Sequence, residues 1–231
     1  MAAVAQVRTT DQVCEQVKQF ILDQGLGPGD LLPGEFELAE QLGISRPSAR
    51  EAMRRLQALD IVEVRRGRGS FVGNLSLSPL VEALGFRSLV NQGDNFSTLR
   101  EVVQLRHSLD RGIADHLCTA LQGSQHTALE ILVEAMVQKA EAGEVFARED
   151  FAFHDGLLAL SGNEIMRQLV ASLWKVHVWT LPKLGLPTAT DLLATARAHG
   201  DILSAVTQGD TGAYLKAIDA HYSPILRALQ A

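Results

Sequence analysis

The stretch "EFELAEQLGISRPSAREAMRRL", residues 35–56, leaves room for very few folds. Phe36, Leu38, Ala39 and Leu42 are available for burial along a short helix, and Gly43 then permits a sharp turn. Ser45 is a good cap, and Pro47 suits the start of a helix because its missing N–H has no intrahelical partner there. In the segment that follows, Arg46, Arg50 and Arg54 are spaced i, i+4, i+8 and share a face. Ala49, Ala52, Met53 and Leu56 can pack behind that face. Two short helices hinged on one glycine predict a helix-turn-helix.

The flanks extend the pattern. "DQVCEQVKQFILDQG" carries Val13, Val17, Phe20 and Ile21 at helical spacing, and "GLGPGDLLPG" reads as a loop from its Gly and Pro content. After the arginine helix, "IVEVR" and "SFV" read as strands around the basic tip "RRGRG". Three helices plus a basic β-hairpin describe a winged helix over residues 1–74. Such a helix fits a DNA major groove, and the hairpin tip can reach phosphates. Charge supports that placement. The chain is acidic overall, at −6, yet residues 45–68 hold seven basic and three acidic side chains. The alternative is a solvated helix face with i, i+4 partners, but only Glu51 is available to pair within the helix.

At this level of detail "LLPGEFELAEQLGISRPSAREAMRRLQALDIVEVRRGRGSFV" resembles the N-terminal domain of the GntR family of bacterial transcription regulators. The resemblance implies that Arg46 and Arg50 touch bases or flanking phosphates, with Arg54 on the same face. It also implies Ser45 and Ser48 at phosphates and Arg66, Gly67 and Arg68 at the wing contact. Phe36 stands where that family usually has an arginine, while Gly34 and Asp60 replace a common serine and glycine.

Past a Gly/Ser/Pro linker at 75–80, residues 81–231 read as helical throughout. Helices are expected near 79–91, 96–121, 124–142, 144–160, 163–183, 189–207 and 211–229, giving an all-α bundle and a mainly α fold class. Several apolar stripes carry a metal-competent side chain. One reads Phe146, Asp150, Phe153, His154, Leu157; another Leu192, Ala196, His199, Leu203, Val206; the last Tyr214, Ile218, His221, Ile225, Leu229. Burying four such groups without partners would cost roughly 1–3 kcal/mol each, and one divalent ion can satisfy all four. Each could instead be a hydrogen-bonded core residue. His177 also falls in a stripe (Met166, Val170, Leu173, His177, Leu181), so stripe membership does not decide. His107, His116 and His126 read as surface or packing residues, and Asn163 as a helix cap.

"DFAFHDGLLALSGN", "ARAHGDILSAVTQGD" and "YLKAIDAHYSPIL" are similar to the FCD effector-binding domain of the FadR subfamily of GntR regulators. By that resemblance Asp150, His154, His199 and His221 are the ligands of a divalent metal, and the acyl-CoA-binding branch, which lacks them, is disfavoured. Three imidazoles and a carboxylate suit zinc or nickel. Arg106, in the stripe Leu99, Val102, Arg106, Leu109, Ile113, points inward and is a candidate receptor for a small carboxylate effector. Asp110 and His177 complete the expected effector set. An Arg106–Asp110 helix pair is the plainer reading of the first two.

The expected function is a ligand-responsive regulator, a repressor in the commoner family behaviour, binding double-stranded operator DNA as a homodimer. The alternative is a metal-dependent hydrolase or lyase with an accessory DNA-binding-like domain. No run of about 18 apolar residues predicts a membrane span, and no secretion signal is read at the start. Cys14 and Cys118 fit no metal or redox spacing, so two buried thiols in a reducing cytoplasm are expected.

Overall fold

The structure is a computed structural model that describes residues 9–90, 97–180 and 192–229. The chain divides into two compact units, Met1–Pro79 and Leu80–Ala231.

In the first unit, α1 (Thr10–Asp23), α2 (Glu35–Leu42) and α3 (Arg46–Ala58) pack around Val13, Val17, Leu38, Ala52, Met53 and Leu56. Thr9 and Gln12 close a reciprocal capping box at the start of α1. Gly43 takes φ 60° at the end of α2, a left-handed conformation that turns the chain at little steric cost. Ser45 then caps α3, its hydroxyl accepting the Ser48 N–H at 3.2 Å. Phe36 departs from expectation: it is 45% exposed and stands outside this core. Leu38 and Ala39 fill the inner face of the two-turn α2, and Phe36 lies on another side of the helix, where its partner is an arginine described below.

The hairpin comprises β2 (Val62–Arg65) and β3 (Gly69–Val72), paired antiparallel with Val64 opposite Ser70. A third strand, β1 (Leu31–Leu32), lies in the stretch expected to be loop and pairs with β3, so the sheet order is β1-β3-β2. Two residues are too short for period-two patterning to register. At the foot of the wing Gly73 is irreplaceable on steric grounds, since a Cβ there would lie 2.3 Å from the Asp60 carbonyl oxygen. Asp60 itself adopts φ 56° and accepts the Ser76 N–H at 3.0 Å through its carboxylate. Aspartate tolerates that conformation because its short polar side chain bonds locally.

The second unit is helical among its described residues: α4 (Ser78–Val90), α5 (Ser97–Gly112), α6 (Ala114–Leu121), α7 (Thr127–Glu141), α8 (Ala147–Ala159), α9 (Glu164–Thr180), α10 (Leu192–Gln208) and α11 (Thr211–Ala228). The stretch read as linker is thus helical from Ser78. The single helix expected at 96–121 is two, broken at Ile113, a turn residue with φ/ψ of −94°/0°. Gly112, which favours a break, precedes it. The expected ends at residues 91, 96, 181–183 and 189–191 lie outside the described residues. Leu99, Val103, Leu117, Phe153, Leu157, Ile202, Val206 and Ile218 form the main core. Both cysteines are buried free thiols. No described helix is long and apolar enough to cross a membrane.

Candidate metal centre and nucleic-acid interface

Asp150 and His154 project from one face of α8, His199 from α10 and His221 from α11. Their four candidate ligand atoms all lie within 4.8 Å of one another. His199 Nε2 is 2.9 Å and His154 Nε2 3.4 Å from Asp150 Oδ1, and the Nε2 atoms of His154 and His221 are 3.2 Å apart. The three histidines are buried.

Hydrogen bonding around His199 decides what the cluster can hold. Its Nδ1 lies 2.8 Å from the Thr195 carbonyl, which can only accept, so Nδ1 carries the proton. In the neutral ring Nε2 is then a lone pair, facing the Asp150 carboxylate at 2.9 Å. Two acceptors that close need a proton or a cation between them. The donor set therefore fits a metal ion. Burial alone would raise the Asp150 carboxyl, but the neighbouring His154 and His199 rings hold it well below the usual carboxylate range. Burial pushes His221 well below the ordinary histidine value, reinforced by His199 and His154. Both shifts favour the deprotonated ligand forms that a metal needs.

Surrounding residues orient the donors, and the sequence reading missed two of them. Trp174 Nε1–H donates to Asp150 Oδ2 at 3.3 Å, leaving Oδ1 for the cluster. The Tyr222 hydroxyl donates to Asp110 Oδ2 at 2.6 Å, and that carboxylate oxygen lies 4.0 Å from His154 Nδ1. Tyr222 follows His221 on α11, and adjacency to a candidate ligand was the one available signal. Asp110 thus turns toward Tyr222 and His154 rather than forming an i, i+4 ion pair with Arg106. His221 Nδ1 is buried with no hydrogen-bond partner among the described residues.

Arg106 is 2% exposed and forms no ion pair among the described residues. Its Nη1 donates to His177 Nδ1 at 3.0 Å, while Nε has no hydrogen-bond partner among the described residues. Loss of solvent and the guanidinium charge push His177 down to about 3, so it is a neutral acceptor at ordinary pH. The Arg106 guanidinium lies 5.5 Å from the Tyr222 ring centroid, and its positive charge is felt at His221. The remaining histidines have structural partners: His107 with Asp219 at 2.7 Å, His116 with the Ser161 carbonyl at 2.7 Å, and His126 with Ser124 at 2.7 Å. Asn163 caps α9 by accepting the Met166 N–H at 3.0 Å.

In the first unit, Arg46, Arg50 and Arg54 are all exposed on α3, and Arg66, Gly67 and Arg68 are exposed at the wing tip. Arg50 Nε meets Glu35 Oε2 at 3.0 Å, a partner from α2 that helix periodicity within α3 could not show. Arg46 lies over the Phe36 ring. The side chains of Arg54, Arg66 and Arg68 have no partner among the described residues. Ser45 and Ser48 hydroxyls meet each other at 2.8 Å beside the start of α3. Arg65 folds back onto Glu63 at 2.8 Å and over the Phe71 ring.

A winged helix with cations exposed on its second hinged helix, followed by a unit that is helical among its described residues and encloses a donor cluster, is the architecture of a DNA-binding transcription regulator. Residues 9–72 match the bacterial regulatory proteins of the gntR family, and residues 101–223 match the FCD domain. The chain belongs to the GntR family and carries an FCD domain; it is a transcription regulator, not an enzyme. An uncharacterized HTH-type transcriptional regulator of Mycobacterium tuberculosis is 30% identical over 221 residues, covering 93% of this chain and 86% of that protein. The transcriptional regulator LutR of Bacillus subtilis is 28% identical, covering 87% of this chain and 91% of its own. A putative L-lactate dehydrogenase operon regulatory protein of Escherichia coli is 26% identical, covering 94% and 84%. Among solved structures, a Streptococcus agalactiae GntR superposes with a TM-score of 0.67 at 26% identity, covering 95% of this chain and 99% of that one.

Proposed function

We propose that this regulator senses a small carboxylate through a metal held by Asp150, His154, His199 and His221. Zinc or nickel is the expected ion, and the protein acts as a homodimeric repressor on a palindromic operator. The observation that carries the sensing half is Arg106. A guanidinium removed from water without a counter-ion is costly, and the natural remedy is an anion from outside the chain. When bound, the metal supplies a Lewis-acidic position for one carboxylate oxygen. Arg106 offers parallel N–H donors to another, and neutral His177 keeps Arg106 aimed without contributing charge. Asp110, already engaged by Tyr222, takes a place beside His154 rather than at the ligand.

The reading half rests on α3 and the wing. Arg46, Arg50 and Arg54 face a groove, Ser45 and Ser48 lie at flanking phosphates, and Arg66, Gly67 and Arg68 grip the backbone. Residues 1–74 form the DNA-binding domain and 81–231 the effector domain. A single winged helix discriminates few base pairs, which favours two copies on a two-fold operator. Ligand binding then favours one arrangement of the helical unit and alters operator affinity through linkage.

Elemental analysis and native mass spectrometry of gently purified protein test the metal. A titration of tryptophan fluorescence, from Trp174 or Trp179, with carboxylates then tests the sensing, with L-lactate a first probe because one relative is named for a lactate dehydrogenase operon. The expected result is about one divalent ion per chain and saturable quenching that Arg106→Met abolishes. A metal-free protein that refuses zinc and nickel would overturn the metal assignment. Silence of the loaded protein across a broad carboxylate panel would overturn the sensing.

A further inference from the structure

The recognition helix does not hold its own arginines. The Arg46 guanidinium carbon sits 3.9 Å from the centroid of the Phe36 ring, and Phe36 stays 45% exposed on α2 rather than joining the core. The neighbouring Glu35 takes Arg50 through Nε at 3.0 Å. Two consecutive residues at the start of α2 therefore hold two of the three groove-facing arginines of α3.

The two holds differ in what they leave free. Glu35 occupies one N–H of Arg50 and cancels part of its charge. A cation over an aromatic face is attracted by the ring quadrupole, and this attraction uses none of the five N–H donors of the guanidinium. Arg46 thus keeps its full charge and all its donors while losing much of the rotamer freedom an exposed arginine would have. A donor fork set in advance surrenders less entropy when it meets a base edge, and it meets a misplaced base less well. An exposed phenylalanine flanked by Glu35 and Glu37 contributes little to the core of the unit, so its position is explained by the arginine it carries.

We propose that Phe36 is a specificity-determining positioning residue: its ring is the platform that fixes Arg46 for base reading at the operator. The inference rests on the assignment of α3 to the DNA groove and refines it. Phe36 touches no base in this account and acts through Arg46 alone.

The test uses the full-length protein and a pool of random-sequence duplexes, with the bound fraction sequenced. The selected duplex and a scrambled one are then measured across a salt series. Phe36→Leu keeps helix propensity and apolar bulk but removes the π face, and Phe36→Trp restores a stronger one. The expected outcome for Phe36→Leu is about a twofold to fivefold loss on the selected duplex, the range an exposed cation–π contact supports. Binding to the scrambled duplex and the salt slope should be unchanged, and base preference should relax at the positions that Arg46→Ala also relaxes. Phe36→Trp should restore both affinity and preference. A Phe36→Leu profile identical to the parent, with Arg46→Ala altering it, overturns the platform while sparing the assignment of α3. An Arg46→Ala profile identical to the parent removes the assignment of α3 and the platform with it.

Discussion

Arg50 of α3 and Arg106 of α5 each rest on one polar side chain, yet their surroundings make them opposite kinds of group. Arg50 is exposed and meets the Glu35 carboxylate at 3.0 Å, where water screens both charges and the pair contributes about 0–1 kcal/mol. Its charge can be lent to DNA at little cost. Arg106 is 2% exposed, and among the described residues its hydrogen-bond partner is a neutral imidazole. Its charge is a standing demand for an anion. On the proposed function, the difference teaches that one residue type serves recognition in two ways: at the surface it adjusts to a large partner, and in the interior it makes the fold incomplete without a small one.

The comparison can be broken most severely at the metal donors. His199→Ala should reduce bound metal from about one ion per chain to near zero after dialysis, read by elemental analysis. Changing a residue that only supports a ligand costs roughly 10–100-fold in metal affinity, and losing a ligand should exceed that. Full occupancy in the variant would mean that the interior cations and anions answer to one another rather than to an ion.

Acid should separate the two regions next. His177 is held at about 3 in the fold against an unfolded value of 6.5, so the unfolded chain takes up the proton first as pH falls. Its contribution to stability is whole above 6.5 and is lost progressively from there toward 3, at up to about 1.4 kcal/mol per pH unit. Chemical denaturation in the presence of a chelator, at pH 7 and pH 5, should show this loss. His177→Gln, which keeps an acceptor for Arg106, should flatten it. An unchanged slope would place the acid sensitivity elsewhere.

Arg106→Met sharpens the contrast from the other side. Replacing an uncompensated interior charge by an apolar chain of similar length should raise the unfolding free energy, by about 1–4 kcal/mol on the precedent of buried ion pairs replaced by apolar residues. Thermal melts without ligand measure it, and a lower melting temperature would show that Arg106 has a counter-charge in solution. The smallest effect belongs to the surface. Arg66→Ala or Arg68→Ala should weaken binding to all duplexes alike and reduce the salt slope by about one, with melting unchanged. A sequence-dependent loss would move the wing from gripping phosphates to reading bases.

Much of this arrangement was legible in the sequence because it follows helical period. The spacing of Asp150 and His154, and the stripes around His199 and His221, fix which way the side chains turn in α8, α10 and α11. Period cannot report what waits on a neighbouring element. Phe36 looked like a core residue because α2 is short enough for any apolar side chain to seem inward; only α3 crossing beside it reveals Arg46. Asp110 looked like the partner of Arg106 at i, i+4, but Tyr222 from α11 claims it. Trp174 at Asp150 and Glu35 at Arg50 are likewise contacts between elements. The break at Ile113 left the stripe Leu99–Ile113 nearly undisturbed, so the two helices read as one. β1 was hidden by length.

That small strand changes what the wing is. β3 is the middle of three strands, held by β2 on one side and by β1 on the other. An isolated two-stranded hairpin is marginal in water, whereas a third strand gives it independent support. The tip bearing Arg66 and Arg68 is therefore a stiff prong rather than a loose whisker. If the wing meets DNA as proposed, a prong cannot drape itself over a helix whose backbone lies elsewhere, and duplexes with the wrong groove width should be refused before any base is inspected.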